Sequence, residues 1–168
     1  MPLQAAPRAA ALIEMPKSIR FENLKRPPLN VALSEIEVEG TRLDLHGKFR
    51  LVGMTFGIEP TTATMGWAAV EEIIAVRQGR ALPISGLALH CSSLTRFEVS
   101  FQEEPPGQLE YFELRNDPEM SLLFFFEGGT VRISCGECRA ELVIESDDDD
   151  LLEPGSESGP GSTPGLVQ

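Results

Sequence analysis

Cys135 and Cys138 stand in a C-x-x-C spacing, and His90 and Cys91 are neighbours further up the chain. Thiolates and imidazoles so arranged are zinc ligands, because a tight turn presents two sulfurs to one tetrahedral ion. Adjacent residues of a strand point to opposite faces, however, so only one of His90 and Cys91 joins Cys135 and Cys138, leaving three ligands. A two-residue hairpin turn at Gly136-Glu137, flanked by small thiols, explains the same spacing and is the preferred reading, with a small structural zinc module as the alternative. A redox pair needs a lowered thiolate pKa, usually from a helix N-terminus, whereas these residues fall between strand-like segments.

Other reactive groups are sparse. His46 and His90 are the only histidines, and neither lies in a nucleophile motif. No G-x-S-x-G, P-loop or G-x-G-x-x-G occurs. Glu71 and Glu72 are adjacent on what reads as a helix, where they diverge by roughly 100° and form no acid–base pair. The expectation is therefore a protein that is no enzyme and needs no cofactor. A second alternative is an enzyme or small-ligand binder with a pocket between helix and sheet near Trp67 and Tyr111.

Charge points the same way. The 168 residues carry 26 acidic and 14 basic side chains, a net charge of −12. Residues 1–30 are basic, whereas 31–145 hold 18 acids against 9 bases and 146–168 hold six acids and no base. Such a surface repels phosphate backbones, so nucleic acid is not the expected partner. It attracts a basic protein instead, and the strand faces bearing Glu35, Glu37 and Glu39, and Glu98, Glu110 and Glu113, are the candidate contacts. An odd count of three cysteines argues for a reducing, cytoplasmic setting. No apolar run approaches the roughly 20 residues of a membrane span.

The elements that must position these groups follow from periodicity. Residues 1–17 carry Pro2, Pro7 and Pro16 without regular patterning and read as a flexible leader. From Ser18 an alternation of period two sets in, and it recurs through Val31–Glu39, Leu43–Phe56, Leu87–Phe101, Leu109–Leu114, Leu122–Phe126, Thr130–Cys135 and Arg139–Ile144. Between Pro60 and Gly79 the pattern reads as a helix: threonines offer an N-cap, Met65, Ala69, Ile73 and Val76 share a face, and Gly79 sits where a helix stops. The fully apolar Leu122–Phe126 is expected to be the central strand, covered by that helix.

Residues 146–168, rich in Asp, Glu, Pro, Gly and Ser, read as a disordered tail. At its start, Leu142–Ile144 followed by Asp147–Asp150 resembles a SUMO-interacting motif, and Asp147–Leu152 an acidic dileucine pattern. The first loses its force if Leu142–Ile144 is the last strand of the domain's own sheet.

The W-x-x-V-E-E-I-I-x-V-x-x-G run from Trp67 to Gly79, followed by a strand from Gly86 to Val99, resembles WapI-type bacterial toxin-immunity proteins over the middle third of the chain. That resemblance implies a small acidic protein that binds a basic effector and catalyses nothing. The expected fold is an α+β domain over residues 18–145, an antiparallel meander of about seven to ten strands packed on one amphipathic helix. Its expected function is non-enzymatic binding of a basic protein partner, as an immunity, inhibitor or adaptor protein. A long edge strand also makes a homodimer possible.

Overall fold

A computed structural model describes residues 18–102 and 107–145. The leader 1–17, the tail 146–168 with its dileucine pattern, and Pro105-Pro106 lie outside the described residues. Nine strands account for the regular structure: β1 (Arg20–Glu22), β2 (Glu35–Val38), β3 (Thr41–Asp44), β4 (Phe49–Gly57), β5 (Thr62–Arg77), β6 (Arg80–Phe101), β7 (Leu109–Asn116), β8 (Met120–Phe126) and β9 (Gly129–Ile144).

The expected α+β class is overturned, because no helix occurs among the described residues. The segment read as a helix is β5, a 16-residue strand. Its first half alternates, burying Ala63, Met65 and Trp67, and its β-branched content (Thr62, Thr64, Val70, Ile73, Ile74 and Val76) suits a pleated surface better than a helix. The helix-like spacing comes from a bulge: the β5–β6 register shifts between Ala68 and Ile73, and the alternation slips with it. Val76, placed on the buried helical face by that reading, is 71% exposed. Gly79 is not a helix cap. With Gln78 it forms the two-residue turn into β6, at φ +50° and +76°, the signature of a type I′ hairpin.

The main sheet has the order β4-β5-β6-β9-β8-β7, antiparallel throughout, with β1 adding to β9 in parallel. A separate hairpin, β2-β3, contributes Ile36, Val38 and Leu43 to the same core. Leu122–Phe126 lies in β8, one strand from the edge, and no helix among the described residues covers it. Its inward Phe124 and Phe126 meet Trp67, whose ring stacks on Phe126 with centroids 5.7 Å apart. Three strand spacings of about 4.8 Å separate β5 from β8 in a flat sheet. The sheet therefore folds over its own inner face, and the core is the apolar filling between the two arms.

The fold line crosses β6 and β9. On β6 the inward residues run Leu87, Leu89, Cys91, then step three positions to Leu94; on β9 they run Val131, Ile133, Cys135, then step three to Cys138 and on to Ala140. Ser93 takes a left-handed φ of +53° there, and a Cβ on Gly136 would come within 3.1 Å of Ser93 Cβ. This corrects the expected hairpin at Gly136-Glu137: the chain passes straight through inside β9, kinked but unbroken. Leu142–Ile144 closes β9 and pairs with β6, so it is the last strand of the domain's own sheet.

Candidate functional site

The kink brings most of the chemistry-bearing residues into one region and then sorts them by face. Residues three apart on a regular strand face opposite ways. Because β9 kinks between them, Cys135 and Cys138 both point inward, where Cys91 joins them from β6. Cys91 donates its thiol proton to Cys138 Sγ at 3.7 Å, with Cys135 beside the pair. All three are free thiols and buried. At Cys91 the hydrogen bond with Cys135 lowers the pKa but is outweighed by the bond to Cys138 and by burial, so the thiol is pushed up. At Cys135 the bond with Cys91, then burial, act in the same upward direction.

His90 faces the other way. Its Nδ1 lies 3.2 Å from Thr64 Oγ1 on β5 and its Nε2 lies 3.1 Å from Glu141 Oε2 on β9. The four residues grouped by the zinc reading are thus split, three thiols inside and the imidazole outside. Among the described residues no group of three or more His, Cys, Asp or Glu is placed to hold a metal ion.

Around His90 the outer face carries a polar cleft of about 430 Å³, lined by Glu22, Thr62, Thr64, Ser92, Glu137 and Arg139 as well as by Cys91. Register builds it: Thr64, His90 and Arg139 lie across β5, β6 and β9, with Thr62, Ser92 and Glu137 in the next row. A hydroxyl, an imidazole and a carboxylate in line can pass a proton or orient a polar ligand. Sequence reasoning missed Thr64 and Glu141, since each comes from a different strand and no local motif marks them.

The glutamates expected to meet a partner are mostly occupied at home. Glu35 pairs with Arg42 at 3.7 Å, Glu37 with Lys25 at 3.2 Å and Glu39 with Arg77. Glu98 pairs with Arg96 at 3.5 Å and Glu113 with Arg115 at 2.5 Å, leaving Glu110 as the one of the six with no cation within 4.0 Å among the described residues. Trp67 and Tyr111 share no pocket: Trp67 is in the core, whereas Tyr111 stacks on Phe125 at 4.5 Å on the other face of the sheet. His46 is exposed, with Nδ1 2.6 Å from the Leu109 carbonyl, tying the β3–β4 turn to β7.

The two sheet edges differ. On β7, Leu29 and Leu33 form bridges to Leu114 and Phe112, covering that strand's outer side. On β4 the described residues supply no strand beyond it. Val52, Phe56 and Ile58 stand 67%, 54% and 74% exposed along and just past it. Among the described residues no helix is long and apolar enough to cross a membrane. No protein-family model, no curated protein and no solved structure matches the chain.

Proposed function

We propose that this chain is a non-enzymatic protein-binding domain, an immunity, inhibitor or adaptor protein, that takes an extended basic segment of its partner as an added strand on β4. The observation that carries this reading is the β4 edge, which no strand among the described residues pairs, with three exposed apolar side chains on and just past it. Edge strands left open are templates for pairing, and soluble proteins ordinarily blunt them with charge, proline or a covering segment, as β7 is covered here. Strand addition supplies backbone hydrogen bonds, while alternate side chains of the incoming strand meet Val52 and Phe56. The net charge of −12 selects among partners by drawing basic ones to the surface. Glu59, next to the exposed Ile58, has no cation within 4.0 Å among the described residues and adds to that preference.

Selection from a displayed peptide library tests the reading. Enriched sequences are expected to alternate in polarity, to carry Lys or Arg, and to lose about tenfold in affinity to the Val52→Lys/Phe56→Lys variant. Enrichment of neutral or helical sequences, or binding indifferent to both substitutions in a variant of unchanged melting temperature, overturns it.

A further inference from the structure

We propose that Cys91 and Cys138 are an oxidative cross-link site, at which a small-molecule disulfide drives formation of a bond tying β6 to β9 at the kink of the sheet. The two are Cα partners across the antiparallel pair, with sulfurs 3.7 Å apart on the inner face. Directly opposed antiparallel residues have Cα atoms about 4.5 or 5.5 Å apart, and both separations fit the range of roughly 4.4–6.8 Å that disulfides span. Side-chain rotation then closes the sulfurs to bonding distance. Cys135 lies opposite Leu94 and is a neighbour of the pair, not a member. Both thiols are buried, so a small oxidant reaches them when the strands open locally.

With glutathione disulfide as oxidant, one protein thiolate attacks a glutathione sulfur, breaks the S–S bond and releases one glutathione. The second protein thiolate attacks the protein sulfur of that mixed disulfide, forms the Cys91–Cys138 bond and releases the other glutathione. The protein sulfurs lose two electrons, the oxidant gains them, and the two thiol protons end on the two glutathiones. Exchange requires thiolate, and Cys91 is protonated at neutral pH, so the reaction accelerates as pH rises.

The full chain is incubated with glutathione disulfide, its remaining thiols are alkylated in denaturant, and intact mass and non-reduced peptides are measured. One alkylated thiol, Cys135, and a peptide linking Cys91 to Cys138 are expected, with a higher melting temperature that returns to its starting value on reduction. The bond spans 47 residues and so restricts the unfolded chain strongly. Cys135→Ser is expected to give the same link; should it fail to fold, the wild-type peptide map alone decides. A Cys91–Cys135 link, glutathione adducts that never resolve, three thiols still alkylated after incubation at alkaline pH, or stoichiometric zinc held by all three thiols each overturns the proposal.

Discussion

At the scale of single residues, Trp67 ties distant parts of the sheet together. Its indole touches Phe124 and Phe126 from a strand that lies three places away in the sheet, so it joins the two arms. Trp67→Ala is expected to cost about 3–5 kcal/mol, read as a fall in the urea midpoint. Trp67→Phe should cost much less, because Nε1 is buried with no hydrogen-bond partner among the described residues and the substitution removes that orphan donor. Equal losses for the two variants would show that the packing is not what Trp67 contributes. A second residue-scale device is the Ser121–Ser134 hydroxyl pair, 2.7 Å apart and buried, to which Arg132 Nε donates at 3.2 Å. Arg132 also donates to the Asp117 carbonyl at 2.7 Å, so a cation on β9 holds the β7–β8 turn.

At the scale of elements, β5 shows how a strand imitates a helix. Alternation holds from Ala63 to Trp67, and the bulge between Ala68 and Ile73 then shifts the phase so that apolar residues recur at helical intervals. The turn that follows supplies a test. Gln78 sits at φ +50°, a conformation Asn adopts more readily. Gln78→Asn is therefore expected to stabilise the protein by about 0.5 kcal/mol in chemical denaturation. Gln78→Val is expected to destabilise it, since a β-branched residue is strained at positive φ.

At the scale of the whole molecule, the two long strands β6 and β9 form a spine shared by both arms, and their kink turns one sheet into an enclosure for a single core. Charge also acts at this scale. Five of the six glutamates on the candidate strand faces have local cations, so the net −12 works as a long-range field more than as a set of contacts. For a basic segment bound at β4, added salt is expected to slow association while leaving dissociation nearly unchanged in surface-binding kinetics. An association rate insensitive to salt would remove charge from the account of partner choice.

Much of the strand content outside residues 60–79 was legible in the sequence because a sheet with one buried face writes period two into the chain, as in Leu87 and Leu89 or Phe112 and Leu114, whereas β9 read as two strands because its kink breaks the alternation. The acidic balance and the scarcity of histidine were equally plain, being properties of composition. Tertiary structure alone decided that Trp67–Gly79 is a strand and its turn, since a bulge can only be recognised against the partner strand that defines the register. It alone decided that Cys135 and Cys138 share a face, because that depends on a kink in which Ser93 and Gly136 oppose one another across β6 and β9. Thr64, His90 and Glu141 meet for a similar reason: hydrogen-bond register between strands sets which distant residues become neighbours, and no local pattern encodes it.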